Sequence, residues 1–290
     1  MKKLLFAVAV FGLGFSTQAQ DKKFQIGLCF GPTINALKVQ TTKIQKMGTG
    51  AGFSLGLGFN FLFSENVGIA SGIQFDLEKF DVRYGDPLSA DLGYVYYGYL
   101  DTEIRKFDED DNTVDGVDLA DTAFDAFQVS TTTFRAKYIT IPFFLKFQTN
   151  KIGKMIYYGK FGLRSSFLAS VRTDDVGYVA NWNAVKGEFS TVATSESTLS
   201  NMKPNSVKKG LAAARTGVGI YGGTEWNFTG NTYLYGEVGF NYGITPGLYM
   251  KSSYLADRVE QSVPGTYINS QLDVKNNPQH IFEIKIGILF

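Results

Sequence analysis

Few side chains in this sequence could do chemistry, and most of those are charged residues in a repeating pattern. His280 is the only histidine. Ser252, Ser253 and Ser262 lie near it in sequence, and a positioned histidine is the commonest general base. No G-x-S-x-G surrounds any of them. A lipid-modifying hydrolase with a serine–histidine pair at a membrane surface is therefore the rival reading, and no enzymatic activity is expected. Cys29 is the only cysteine, which excludes an internal disulfide and leaves it as a small wall residue.

The segment from Tyr84 to Thr133 is strongly acidic, with Arg105 and Lys106 as its only bases. Its run Asp108-Glu109-Asp110-Asp111-Asn112 suggests calcium, because hard cations take several carboxylates. Thr113 and Val114 stand where an EF-hand needs its glycine and next ligand, so the segment reads as a solvated acidic loop. Neither a metal nor a cofactor is expected. The preceding loop carries Lys38, Lys43 and Lys46 and no acids, so the two loops are expected to attract each other. Tyr94, Tyr96, Tyr97 and Tyr99 suit either a binding surface or a projecting hairpin.

Ten further charges are regularly placed. Asp76, Glu78, Glu225, Glu237 and Glu283 alternate with apolar residues, as do Lys146, Lys160, Arg164, Arg215 and Lys285. On the same parity stand many glycines, among them Gly56, Gly72, Gly162, Gly217, Gly219, Gly239 and Gly287. A solvated sheet face has no use for so many residues of low strand propensity, whereas a crowded barrel lumen has. Five acids and five bases can pair, and an unpaired buried charge costs about 3–5 kcal/mol. The ten are expected to form a salt-bridged plug; an ion path or narrow pore is the alternative. Four more bases, Lys79, Arg83, Arg135 and Lys137, continue the apolar parity of two neighbouring strands and mark a membrane boundary. Their chemistry also suits lipopolysaccharide phosphates, with Asp81 weakening the patch.

The elements that position these residues are strands with period-2 alternation. The last, Ile281 to Phe290, sets Phe282, Ile284, Ile286, Ile288 and Phe290 on one face and stops on an aromatic residue, as the closing strand of a barrel does. The others are expected at about 24–33, 51–63, 67–80, 134–148, 156–170, 211–228 and 232–248. Short turns fall near residues 65, 152 and 230, and long connections at about 35–50, 81–133, 171–210 and 249–279. Short turns on one side and long loops on the other are the pattern of outer-membrane barrels. Pro142 lacks a ladder donor and should interrupt pairing on the lumen side.

Residues 1–19 read as a signal peptide: Lys2 and Lys3, an apolar run from Leu4 to Phe15 too short to span a bilayer, and Thr17-Gln18-Ala19 before the cut. Residues 20–290 then form one barrel domain. Of 28 basic residues two lie in the leader, leaving 26 against 27 acids, so nucleic acid is not an expected partner. Charged residues make up 19% and aromatics 15% of the chain, a balance suited to a membrane barrel, whose signal per strand is weak.

At Tyr138 to Phe147, YITIPFFLKF, the chain resembles the PorT-like outer-membrane β-barrel proteins of Bacteroidetes, Gram-negative bacteria. Tyr138, Ile139, Ile141, Pro142, Phe143, Phe144, Lys146 and Phe147 occupy the positions of that family's characteristic strand. The leader ending in Ala-Gln and the glycine-rich Gly217 to Gly223 agree. The resemblance implies an outer-membrane barrel and no particular activity. The expectation is thus an all-β, eight-stranded antiparallel transmembrane β-barrel with short periplasmic turns, long extracellular loops and a closed lumen. Its expected role is structural or interactive, as an accessory to a secretion or uptake complex. Its expected partners are outer-membrane lipid, lipopolysaccharide and other envelope proteins that meet the loops.

Overall fold

The computed structural model describes residues 24–38, 44–84, 94–108, 113–114, 125–183, 188–204, 210–249, 251–260, 262, 267–274 and 277–290. The leader, Lys43 and the centre of the acidic run, Glu109 to Asn112, lie outside them. The described chain forms strands β1 (Phe24–Leu37), β2 (Ile44–Leu62), β3 (Val67–Tyr84), β4 (Tyr94–Leu100), β5 (Glu103–Ile104), β6 (Phe107–Asp108), β7 (Thr113–Val114) and β8 (Asp125–Gln148). They continue as β9 (Met155–Asn183), β10 (Glu188–Thr191), β11 (Ser197–Pro204), β12 (Ala214–Thr229), β13 (Thr232–Gly243), β14 (Lys251–Glu260), β15 (Tyr267–Asp273) and β16 (Gln279–Leu289). No described helix is long and apolar enough to cross a membrane.

The antiparallel pairings close on themselves. β1 pairs β2, β2 pairs β3, β3 pairs β8, and β8 pairs β9. β9 then pairs β12, β12 pairs β13, β13 pairs β16, and β16 returns to β1. Beyond the last residues of this seam, Phe290 N–H donates to Ile26 O at 2.8 Å. A closed ladder leaves no backbone donor or acceptor facing hydrocarbon.

The apolar parity points outward. Phe75, Phe143 and Ile220 are 56%, 53% and 63% exposed, whereas Asp76, Glu225 and Glu283 on the opposite parity are 1% exposed. A soluble barrel would be the reverse, with apolar side chains inside. In hydrocarbon the outward face is the buried one, and the arrangement is stable only there.

Side-chain chemistry shapes the short turns. Ser64 Oγ accepts from Asn66 N and Val67 N, and Asn66 Nδ2 donates to Gln148 O at 2.9 Å, tying the first turn to the second. Gly230 supplies the positive φ of 49° in the third. Pro142 leaves the β3–β8 ladder unpaired between Ser71↔Phe143 and Gln74↔Thr140 without shifting its register, and Ser71 Oγ donates to Pro142 O at 2.7 Å instead.

The sheet departs from the expected count. Fourteen described strands belong to it, with β6 and β7 forming a separate ribbon. The expected strand ends were also too short at the outer side: β8 holds 24 residues and β9 holds 29. Crossing a bilayer takes about 9–11 residues, so both project far beyond it. Their projecting ladders would be open edges. Segments of the long connections pair with them: β4 with β8, β11 and β10 with β9, and β14 with β4. The connections at 81–133 and 171–210 are thus in large part a folded cap.

That cap has its own apolar core. Phe80, Val82, Val95, Tyr97, Ile104, Phe127, Phe134, Val171, Met202, Leu211, Leu248 and Leu272 are packed together and buried. Beside it Phe189 stacks on Tyr96 at 5.3 Å, with Trp182 edge-on at 4.6 Å. Below the cap, glycines admit large rings: a side-chain carbon at Gly239 would overlap the Tyr221 ring.

Substituting Gly239→Val should therefore overpack the lumen by about 1–3 kcal/mol. Urea unfolding in vesicles is expected to show the loss, and the double variant Gly239→Val/Tyr221→Ala should lose less than the sum of the two single changes, because the overlap is gone once the ring is.

Candidate functional site

The ten charges of the inward parity meet inside the barrel. Lys146 pairs with Glu225, and Lys160 with Glu237 at 2.5 Å. Arg164 reaches Asp76 at 2.6 Å and Glu283 at 2.8 Å, and Lys285 lies 2.7 Å from Glu283. Arg215 grips both oxygens of Glu78 through its two terminal nitrogens. Every one of the ten has an opposite charge beside it.

Except for Lys285 and Glu283, which share β16, the partners sit on strands that are not neighbours. Arg164 on β9 joins Asp76 on β3 and Glu283 on β16, and Arg215 on β12 joins Glu78 on β3. The pairs are struts across the lumen rather than cross-strand pairs along the wall. Lys146 and Lys160 are directly opposed on β8 and β9, a repulsive placement offset because each has its own glutamate.

Neutral groups complete the network. Thr140 Oγ1 lies against both Asp76 and Ser166, Tyr221 O–H donates to Glu283 Oε2 at 2.9 Å, and Gln279 Nε2 donates to Glu78 Oε2 at 3.2 Å. Lys285 Nζ donates to Gln74 Oε1 at 3.3 Å. Arg215 also lies over the Tyr138 ring, 3.9 Å from its centre. The sequence reading did not single out Gln74, Thr140, Ser166 or Gln279. Their shared inward parity was the available signal, since a polar residue on that face needs a partner.

Little space remains. Beside Cys29, Lys160, Tyr235 and Glu237 lies a cavity of about 40 Å³, enough for one or two waters. Cys29 Sγ donates weakly to Gly56 O at 3.5 Å. Above the charges the apolar cap core covers the barrel.

The other expected residues are placed as follows. His280 stacks on Tyr242 at 4.5 Å on the outward side, and its Nδ1 accepts from Gly243 N–H at 3.2 Å. Ser252 is buried, its Oγ accepting from Tyr254 N and Leu255 N. Among the described residues no group of three potential metal ligands is present. Tyr97, one of the four loop tyrosines, is buried in the cap, where its hydroxyl donates to Asp175 Oδ2 at 2.9 Å. Lys79, Arg83, Arg135 and Lys137 lie on adjacent strands, with Lys79 opposite Arg135 and Leu77 opposite Lys137. Arg135 pairs with Asp174 at 2.8 Å, and Asp81 accepts from Thr133 Oγ1 at 2.6 Å.

The profile of the outer membrane protein beta-barrel domain family matches residues 18–249. The chain belongs to this family, and the protein resides in the outer membrane. Solved structures similar to it include the attachment invasion locus protein Ail of Yersinia pestis, in complex with the heparin analogue sucrose octasulfate (10% identity, 92% of this chain and 99% of that one, TM-score 0.34). Neisserial surface protein A is similar at 10% identity over 93% and 98% of the two chains, with a TM-score of 0.33. The Escherichia coli outer membrane protease OmpT is similar at 10% identity over 95% and 99%, with a TM-score of 0.32. No curated protein matches the sequence.

Two predictions test the network and the cap. Replacing Arg164 by methionine strands Asp76 and leaves Glu283 with Lys285 alone, and should destabilise the barrel by about 3–5 kcal/mol. Neutralising the stranded acid as well (Arg164→Met, Asp76→Asn), with Glu283 kept for Lys285, should restore much of that, as read by urea unfolding. In the cap, burial raises the Asp175 carboxyl from 3.8 to about 6, against the hydroxyls of Tyr97 and Thr173 that hold it down. The folded cap thus holds the Asp175 proton more tightly than the unfolded chain does. This contribution to stability is full below about pH 4 and is lost as pH rises to about 6, amounting to on the order of 3 kcal/mol. Hydrogen exchange of β4 and β11 should quicken over that interval, and Asp175→Asn should flatten the dependence.

Proposed function

We propose that the cycle of eight long strands, β1, β2, β3, β8, β9, β12, β13 and β16, is a membrane-spanning barrel with a closed lumen. Its role is to anchor and present the folded outer cap. The observation that carries this reading is the filled interior: crossed ion pairs in the membrane zone and an apolar core above them. A conducting pore needs a continuous water path, and eight strands enclose little more than their own side chains.

The cap supplies the interaction surface of an accessory to a secretion or uptake complex, and other envelope proteins are its partners. A place among the PorT-like proteins of Bacteroidetes agrees with this and rests on the Tyr138–Phe147 motif. We further propose that the protein is not an enzyme. His280 Nδ1 already accepts a hydrogen bond from Gly243 N–H and its ring stacks on Tyr242, and Ser252 Oγ accepts from Tyr254 N–H and Leu255 N–H.

In planar bilayers the purified protein is expected to give no steady single-channel steps. Stable openings whose ion selectivity shifts when Arg215 or Glu237 is neutralised would overturn the closed-lumen reading. Lipid A and phospholipid profiles should be identical in wild-type and His280→Ala cells; an altered acylation pattern would favour the hydrolase.

A further inference from the structure

The outward surface of β3, β8 and β9 carries a row of cations that the four expected bases only partly describe. Lys79 is directly opposite Arg135, and Arg135 is directly opposite Arg172 on β9. Three positive side chains therefore stand shoulder to shoulder on one face across three strands. Like charges in directly opposed positions repel one another. Lys137 lies one step towards the membrane, opposite Leu77 and Ser170, and Arg83 lies two steps away from it, opposite Thr131.

Below Lys137 the same face is mostly apolar: Phe75, Leu77, Ile139, Ile141 and Phe167 are all exposed. The row thus sits where the hydrocarbon band ends. Long cationic side chains at such a boundary often only snorkel, but snorkelling does not require them to be gathered in one sector. The outward upper ends of β12, β13 and β16 carry Ala214, Tyr242 and His280 instead.

The acids nearby do not neutralise the row. Asp174 pairs with Arg135 and also accepts from Asn201 N–H. Asp81 is bonded by Thr133. Among the described residues no ion pair engages Lys79, Arg83, Lys137 or Arg172. Five cations face two anions, both on the side away from the hydrocarbon.

We propose that Lys79, Arg135 and Arg172 form a binding site for a phosphate group of lipopolysaccharide in the outer leaflet, with Lys137 and Arg83 at its lower and upper margins. The acyl chains would lie along Phe75, Leu77, Ile139 and Phe167, which places the headgroup phosphate at the row. Two guanidinium forks beside an ammonium suit phosphate oxygens, and a multiply charged anion removes the repulsion that the row otherwise carries. Arg172 is the new element: without it two bases face each other, and with it the site has a third wall. The inference rests on the outer-membrane placement and not on the closed lumen, so a conductance result leaves it standing.

The test uses full-length protein purified in mild detergent, with lipopolysaccharide quantified by mass spectrometry. The Lys79→Gln/Arg135→Gln/Arg172→Gln variant should retain at least ten-fold less than wild type. Arg172→Lys, which keeps the charge and loses the fork, should retain about three-fold less; an unboiled gel checks that each variant is folded. Dephosphorylated lipopolysaccharide added back should bind no better to wild type than to the triple variant. Equal retention by wild type and both variants would overturn the site and leave a snorkelling boundary. Wild-type protein binding dephosphorylated lipopolysaccharide as well as the phosphorylated form, or displacement of lipopolysaccharide by an equal amount of phosphatidylglycerol, would overturn the assignment to a lipopolysaccharide phosphate.

Discussion

The structure depends on closing a hydrogen-bonded ladder where no water can satisfy an open edge. An unpaired N–H or C=O in hydrocarbon costs several kcal/mol, so the last strand must find the first. The seam runs from Gly27↔Leu289 to Leu37↔Gln279. Once it is shut, the alternation of each strand sends one parity to lipid and the other into a narrow interior. Side chains that would be solvated on an open sheet are forced together there.

The interior answers that confinement in two ways. In the membrane zone it is polar, and every charge is countered, all but Lys285 by one reaching across from another strand, so that removing Arg164 or Arg215 strands an acid elsewhere on the wall. Arg164, bound to both Asp76 and Glu283, is the junction of this network. Above the membrane zone the same interior turns apolar, with Phe80, Phe134, Val171 and Leu211 in contact with residues of the outer connections. A barrel that ended at the bilayer surface would have no need of that second core. The long β8 and β9 create it, because their projecting edges recruit β4, β10 and β11. The same overlength strands carry Arg135, Lys137 and Arg172 above the apolar band, so the cap and the proposed lipid site share two strands.

Much of this was legible along the chain. Period-2 alternation located the inner parts of the long strands and gave the face of the side chains there, because a strand's geometry is local. The pairing of glycines with charges on one parity marked that face as a lumen, since only crowding explains both. The balance of five acids and five bases foretold that pairing was achievable. Pro142 could be placed at a break in the ladder because its missing donor is a property of the residue itself. The outer connections misled: their strands are short and depend on partners far away in sequence, such as β4 on β14 and β11 on β5, so no local period announces them.

The sequence by itself determined which residues face inward, which face lipid, and that the chain must close. It could not decide who meets whom inside. Arg215 and Glu78 are separated by 137 positions, and only strand order and register bring them together. The same holds for Arg172: its place beside Arg135 depends on a register that shifts at the bulge between Lys137 and Tyr138. Burial of Asp175 beneath Tyr97 likewise follows from the cap's folding down onto β9. Facing is a two-residue property that the chain carries everywhere, whereas partnership is a property of the closed ring.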